Sequence, residues 1–270
     1  MSGLPEQDPA ADPLGIVLRT TPLRESDLLV VLYTDRHGRV TAVARGARKS
    51  RHRFAGALSL LVLGRYRLGR RPRGDLWALD AAEIVRDWTQ LSSDVIAVAH
   101  ASYVAELVDA LVPPESPEPA ALELVVALWD AIAAGGPSPG ALRAVELALL
   151  DLAGHRPAID RCAACGAEIT EGAVFDPARG GAICRRCAPR SRSVGVRPYE
   201  PATRAYLQEV AALAAPQAAR SVDRDPRFAP GDRAAARDAL VAMVTSQVGR
   251  PLRSLEYLAK LGAAGRRAKE

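Results

Sequence analysis

The sequence predicts an α+β protein of several domains, in which a small five-stranded β-barrel precedes a mainly α-helical domain that carries an inserted four-cysteine module. Three observations support this prediction. Strand-like runs fill residues 14–88, helical periodicity replaces them afterwards, and two CxxC pairs interrupt the helical part. A chain of 270 residues has room for two or three such domains.

The predicted barrel consists of five β-rich runs, at residues 15–20, 28–34, 39–45, 58–68 and 75–85. Gly38 can take a positive φ in a tight hairpin between the second and third runs. The run 28–32 is apolar on both alternating faces, so we expect it to be buried on both sides. Five strands in a segment this short indicate an OB-type β-barrel. An SH3-like barrel is the alternative that strand count does not exclude.

Helices are predicted after the barrel because apolar residues then recur at three- and four-residue intervals. Ser92 or Ser93 is expected to cap the first helix, whose apolar face begins at Val95. Short connections between the first three helices predict a bundle. The resulting boundaries are a disordered leader (1–13), an OB-fold domain (14–88), a helical domain in two parts (89–159 and 191–264), a four-cysteine module (160–190) and a frayed tail (265–270).

The charges are unevenly distributed. Residues 36–74 contain twelve cations and no Asp or Glu, whereas residues 75–160 contain three cations and fourteen acids. A surface that needs only solubility usually mixes both signs, so an unbroken cationic run indicates a site for a polyanion, with nucleic acid as the first candidate. The alternative is a set of ordinary exposed arginines.

Residues 46–56, between the third and fourth runs, are expected to form a mobile basic loop, and five of these cations lie in it or directly before it, within residues 45–53. The pattern GxxxxGK[ST] is absent, which argues against nucleotide hydrolysis. The first candidates for nucleic-acid contact are Arg45, Arg48, Lys49, Arg51 and Arg53. The next are Arg39, Arg65, Arg67 and Arg70.

The cysteines form two pairs, Cys162/Cys165 and Cys184/Cys187, separated by eighteen residues. This spacing is typical of zinc sites, in which each pair supplies two thiolates at about 2.3 Å from one ion. Four thiolates leave no open position, so the predicted Zn²⁺ is structural. A redox-active pair is the alternative. A zinc deaminase would need a His-x-Glu motif and a proline before the second pair, whereas Ile183 precedes Cys184 here. The adjacent Arg185-Arg186 pair either contacts nucleic acid or neutralises the zinc–thiolate centre.

No catalytic motif accompanies these features, and we expect no enzyme. Asp223 and Asp225 form a DxD pair that could bind Mg²⁺ in a loop, but neighbouring arginines favour mutual neutralisation. There is neither a run of eighteen apolar residues nor a signal peptide, which predicts a cytoplasmic protein without a membrane span.

Several separated motifs, in this order, resemble the RecO family of bacterial recombination-mediator proteins. They are Gly15-Ile-Val-Leu-Arg-Thr, Glu25-Ser-Asp-Leu-Leu, Tyr33-Thr-Asp-Arg-His-Gly, Ala44-Arg-Gly-Ala-Arg-Lys, Asp160-Arg-Cys-Ala-Ala-Cys-Gly, Phe175-Asp-Pro and Leu252-Arg-Ser-Leu-Glu-Tyr-Leu. The resemblance implies an OB-fold domain followed by a helical domain with an inserted zinc module. It also implies binding of single- and double-stranded DNA, annealing of complementary strands, binding of the C-terminal tail of the single-strand-binding protein, and cooperation with RecR in loading RecA.

Few aromatic residues are available in the barrel for stacking on bases. They are Tyr33, Phe54, Tyr66, Trp77 and Trp88. Many cations with little stacking capacity suggest a grip on phosphates that leaves base edges free for annealing. An RNA-binding or ribosome-associated OB-fold zinc protein is the alternative function.

Overall fold

The computed structural model describes residues 12–50, 52–70, 74–190 and 192–267, with side chains described as far as residue 261. The contacts divide the chain into two compact units, residues 1–129 and 130–270. The first unit contains five strands and the first helix. They are β1 (Leu14–Pro22), β2 (Leu28–Thr34), β3 (Gly38–Ala44), β4 (Val62–Gly69), β5 (Trp77–Asp87) and α1 (Val95–Leu111). Helix α2 (Pro119–Gly135) crosses the boundary.

The five strands form a closed barrel in the order β1-β2-β3-β5-β4, with β4 returning to β1. Every pairing is antiparallel except that of β3 with β5. This order, with one parallel closure, is the OB-type arrangement. The predicted fold class is therefore confirmed: a five-stranded barrel followed by a helical domain with a four-cysteine cluster.

Strand β2 is buried on both faces, as its composition predicted. Val30 and Leu32 point into the barrel core, and Val31 and Tyr33 are also buried. Successive side chains of a strand point to opposite faces, so burial of all four requires cover on the outside of the barrel as well. Tyr33 receives part of this cover from the segment before α2, because its hydroxyl donates to the Glu118 carbonyl oxygen at 3.0 Å.

The connection between α1 and α2 lies against the β2–β3 hairpin. The Glu115 N–H donates to the Arg39 carbonyl oxygen at 3.1 Å. Gly38 has φ +61°, and a Cβ atom at that position would collide with the Ser116 backbone. Glycine is therefore needed here both for the turn and for the close approach of the connection.

The first residue of α1 differs from the prediction. Asp94, and neither Ser92 nor Ser93, caps this helix: its carboxylate accepts from the Ile96 and Ala97 N–H groups. Val95, predicted to begin the apolar face, is about half exposed. Ile96 is likewise about half exposed, and burial begins at Ala97.

The second unit contains five helices and a small sheet. They are α3 (Pro139–Leu152), β6 (Ala173–Asp176), β7 (Gly181–Ile183), β8 (Arg197–Tyr199), α4 (Pro201–Ala211), α5 (Ala219–Arg224), α6 (Pro230–Val248) and α7 (Arg253–Arg267). The three strands pair antiparallel in the order β7-β6-β8. Helix α3 packs against α4, α5 and α6. No helix among the described residues is long and apolar enough to cross a membrane.

The pair Asp223/Asp225 does not form the loop suggested by its sequence. Asp223 lies in α5, where its carboxylate accepts from Ser138 Oγ at 2.5 Å, Gly140 N at 3.0 Å and Tyr206 Oη at 2.9 Å. It thus ties α5 and α4 to the start of α3. Asp225 accepts instead from the Arg227 guanidinium, which lowers the pKa of this carboxyl. The two carboxylates serve different partners, which argues against a shared Mg²⁺ site.

Candidate nucleic-acid interface and four-cysteine cluster

The basic loop, residues 45–53, is anchored to the barrel at its C-terminal end. The Ala82 N–H of β5 donates to the Arg53 carbonyl oxygen at 2.9 Å. The next side chain, Phe54, lies in the barrel core, and buried Tyr66 donates to the Ala57 carbonyl oxygen at 2.9 Å. A cationic loop is thus joined directly to a buried apolar segment, which fixes where the loop leaves the barrel.

The N-terminal end of the loop is held by the β1–β2 turn, residues 23–27. The Gly46 N–H donates to Asp27 Oδ1 at 2.9 Å, and the Arg48 N–H donates to the Ser26 carbonyl oxygen at 3.0 Å. The hydrogen bond from Gly46 lowers the pKa of Asp27. The loop that the sequence suggested would be mobile therefore has backbone attachments at both ends. Arg51 lies outside the described residues.

The described cations of the basic loop are Arg45, Arg48, Lys49 and Arg53, and all are exposed. Arg48 donates to the Glu25 carbonyl oxygen at 3.0 Å, and Arg53 donates to the Arg45 carbonyl oxygen at 2.5 Å. A carbonyl oxygen orients a guanidinium without cancelling its charge. Lys49 pairs with Glu25 at 3.2 Å, but these side chains are 68% and 89% exposed, so water screens the pair.

The second set of candidate cations lies on or beside the barrel strands and consists of Arg39, Arg65, Arg67 and Arg70. Three of the four pair with carboxylates, which is the difference from the loop. Arg39 pairs with Asp109 at 3.1 Å, and these side chains are only 26% and 13% exposed. The remaining contacts are Arg67 to Asp12 at 3.3 Å, Arg70 to Glu115 at 2.8 Å, and Arg65 to the Asp12 carbonyl oxygen at 3.2 Å. The structure thus separates the candidates into a loop set and a strand set in which Arg39, Arg67 and Arg70 each pair with an acid. The Arg70–Glu115 side chains are 65% and 44% exposed, so water screens that pair as well.

All five candidate stacking rings of the barrel are buried: Tyr33, Phe54, Tyr66, Trp77 and Trp88. Trp77 is also enclosed by polar groups. The Arg70 guanidinium lies 4.4 Å from the centre of its ring, His37 lies at 4.8 Å, and its Nε1 donates to Glu115 at 3.3 Å. Burial, followed by the charge of Arg70, lowers the pKa of His37.

The four cysteines meet at one point in the second unit. All four Sγ atoms lie within 4.8 Å of one another, and those of Cys165 and Cys184 are 3.9 Å apart. Thiolates placed tetrahedrally at about 2.3 Å from a zinc ion would be about 3.8 Å apart. The donor set and its spacing therefore fit one tetrahedral metal ion.

The β6–β7 hairpin positions the second cysteine pair against the first. Gly180 and Gly181 both have positive φ, and Gly181 passes so close to the Ala158 backbone that a Cβ atom would collide with it. The Ala163 N–H then donates to the Ala182 carbonyl oxygen at 2.9 Å, which joins the first knuckle to β7. The predicted glycine turn is therefore the element that brings Cys184 into the cluster.

Electrostatics in the cluster favour a cation. Burial opposes ionisation of Cys162, but backbone N–H groups, including that of Cys184, lower the pKa of its thiol to about 6. The neighbouring thiols of Cys165 and Cys184 raise the pKa of Cys187 to about 11. Four thiolates without a metal would therefore repel one another. Arg186 reaches Cys165 Sγ at 3.8 Å, whereas Arg185 pairs with Glu171 at 3.4 Å.

The fold and these sites together define a class of protein: an OB-barrel protein with a cationic loop, joined to a helical domain that contains a candidate metal centre. Comparison with known families identifies which one. Residues 13–88 match the family model "Recombination protein O N terminal", and residues 92–256 match "Recombination protein O C terminal". The chain belongs to the RecO family.

Similar proteins from several bacteria carry the name DNA repair protein RecO. The one from Anaeromyxobacter sp. (strain K) is 41% identical over 250 residues, which cover 92% of this chain and 95% of the relative. The one from Myxococcus xanthus is 37% identical over 251 residues, covering 92% and 96%. The one from Symbiobacterium thermophilum is 36% identical over 264 residues, covering 93% and 97%.

Proposed function

We propose that this RecO-family protein is a DNA repair and recombination mediator that binds single- and double-stranded DNA mainly through phosphates and anneals complementary strands. The observation that carries the proposal is the combination of an exposed cationic loop with a barrel whose candidate stacking rings are all buried. Such a surface attracts the backbone of either strand and leaves the base edges free. The proposed activity is binding and annealing, without a catalysed reaction.

The partners are proposed from the family. Relatives along almost the whole chain are named DNA repair proteins. We propose that the chain binds the C-terminal tail of the single-strand-binding protein and acts with RecR to help load RecA onto coated DNA. A cytoplasmic, nucleoid-associated location accords with that role.

The four-cysteine cluster is proposed to hold one structural Zn²⁺. Cys162, Cys165, Cys184 and Cys187 would supply all four ligands, so the ion would cross-link the two knuckles and hold the β6–β7 hairpin between them. We assign Arg186 to neutralising this centre, because it already lies against Cys165.

The test is strand annealing with complementary oligonucleotides coated by single-strand-binding protein. Wild type is compared with a loop variant in which Arg45, Arg48, Lys49 and Arg53 are all changed to Ala. We expect annealing by the wild type and its loss in the loop variant. Annealing by both would move the DNA site away from the loop. No annealing by a folded, zinc-loaded wild type that instead binds structured RNA would favour the RNA-binding alternative.

A further inference from the structure

We propose that Asp27 is the positioning residue of the basic loop, so that this acid, although it lies on a cationic surface, increases affinity for DNA. The inference rests on the proposed function and deepens it. An acid beside a polyanion site ordinarily weakens binding, because its charge repels phosphate. Asp27 is expected to increase affinity on balance, because its carboxylate holds the Gly46 N–H in the backbone of the loop.

The contact made by Asp27 lies at the point from which the loop is built. Its Oδ1 accepts from the Gly46 N–H at 2.9 Å and from Ser26 Oγ at 3.2 Å. Gly46 has φ +65°, and its carbonyl oxygen accepts the N–H groups of both Lys49 and Ser50, at 3.1 and 3.0 Å. The carboxylate therefore fixes the residue whose orientation determines the turn that follows.

Two further contacts pass this constraint to the cations. The Arg48 N–H donates to the Ser26 carbonyl oxygen at 3.0 Å, next to Asp27, so the same short turn holds two points of the loop backbone. At the other end, the Arg53 guanidinium bonds to the carbonyl oxygen of Arg45, the residue before Gly46. Loss of the Asp27 carboxylate would release the Gly46 N–H, and with it the start of the turn that carries Arg48 and Lys49. The loop cations would then no longer be held close together.

Glu25 provides a matched control within the same turn. It has the same charge, but its carboxylate contacts only the side chain of Lys49 among the contacts found for the described residues, and it is almost fully exposed. It holds no loop backbone through its side chain. Glu25→Gln should therefore show the simple electrostatic effect of losing an acid, which is tighter binding.

Two substitutions at Asp27 separate charge from position. Asp27→Asn removes the charge and keeps an oxygen that can accept from Gly46, so it should bind DNA more tightly than wild type. Asp27→Ala removes both, so it should bind more weakly. If a phosphate contact is worth about fivefold at 0.1 M salt, loss of one or two contacts corresponds to an affinity about 5- to 25-fold lower.

The experiment measures affinity for a fluorescent oligo(dT) at several salt concentrations with the full-length protein. The expected order, from tight to weak, is Asp27→Asn and Glu25→Gln, then wild type, then Asp27→Ala. Hydrogen exchange of residues 45–50 should be accelerated in Asp27→Ala and close to wild type in Asp27→Asn. Tighter binding by Asp27→Ala would overturn the inference. So would acceleration that extends equally to β2 and β3, because Asp27 would then support the whole barrel.

The loop variant distinguishes failure of this inference from failure of the proposed function. If the loop variant binds DNA like wild type, the loop is not the DNA site and both proposals fail. If the loop variant loses binding while Asp27→Ala gains it, the DNA site stands and only the positioning role of Asp27 is refuted.

Discussion

The salt dependence of DNA binding should distinguish the loop set from the strand set at equal net charge. The loop variant removes four cations, and a strand variant with Arg39, Arg65, Arg67 and Arg70 changed to Ala also removes four. Any effect of net charge alone is therefore the same in both. The structure predicts different local effects, because three of the four strand cations pair with acids. Among the described loop cations, Arg48 and Arg53 bond to carbonyl oxygens, and only Lys49 is seen to pair with an acid, which is exposed.

The expected magnitude follows from counterion release. Each phosphate contact on a single strand adds about 0.7 to the slope of log K against log salt, so four lost contacts reduce the slope by about 2.8. At 0.1 M salt the same relation gives a loss of about 600-fold in affinity. For the strand variant we expect a change in slope of less than about 1, since at three of its four positions a phosphate must first displace the paired carboxylate.

The assay is fluorescence anisotropy of a labelled oligo(dT) titrated at salt concentrations from 50 to 300 mM, roughly the range over which such slopes are measured. Circular dichroism and the thermal midpoint establish that both variants are folded. Equal reductions in slope would mean that only net charge matters. A larger reduction in the strand variant would refute the reasoning, because the DNA contacts would then lie on the strands.

Three further predictions concern stability. Arg143→Met should lower the free energy of unfolding by about 3–5 kcal/mol in urea titrations, because the carboxylate of Glu146 is fully buried against the Arg143 guanidinium. The double variant Arg143→Met/Glu146→Leu should recover most of the lost stability, and an equally unstable double variant would contradict the explanation. Metal analysis should find one zinc ion per chain. Removal of zinc by a chelator, or Cys165→Ser, should expose residues 160–190 to proteolysis while DNA binding persists. Loss of DNA binding would place the DNA site in residues 160–190. Burial and the charge of Arg70 lower the pKa of His37 in the folded protein, so on acidification His37 is protonated in the unfolded chain before it is protonated in the folded one. The free energy of unfolding should therefore fall as pH drops below about 6.5. His37→Gln should reduce this pH dependence, and an unchanged pH profile would assign the dependence to another group.

The number of barrel strands and the cysteine cluster were predictable because their signals are local, although β4 begins at Val62 and not at residue 58. Strand β2 is an apolar run long enough to be recognised as a strand from the sequence alone. The CxxC spacing of Cys184 and Cys187 likewise predicts that they join the other pair in one candidate metal site. The cap of α1 was not predictable in the same way. Ser92, Ser93 and Asp94 are all good capping residues in succession, and only the register of the helix selects Asp94.

The pairing of the strand arginines could not be predicted, because their acids are distant in sequence. Residues 36–74 contain no acid, so all twelve cations look uncompensated. In the fold, Arg39 meets an acid 70 positions away, Arg67 one 55 positions away and Arg70 one 45 positions away. Such pairs depend on how Asp12, helix α1 and the connection after α1 lie against the barrel strands, which local patterns do not encode.

Burial of the barrel's aromatic rings has a direct consequence for the proposed annealing. A base stacked on a protein ring contributes about 1–3 kcal/mol, which must be given up before that base can pair with a complementary strand. The rings of Trp77 and Phe54 instead lie in the barrel core, so bases of a DNA strand bound at the loop would incur no such cost. Phosphate contacts persist whether or not the bases are paired, so the same cations can hold the separate strands and the duplex that they form. On the proposed function, the scarcity of exposed rings is therefore what allows a tight grip on a strand to remain compatible with its annealing.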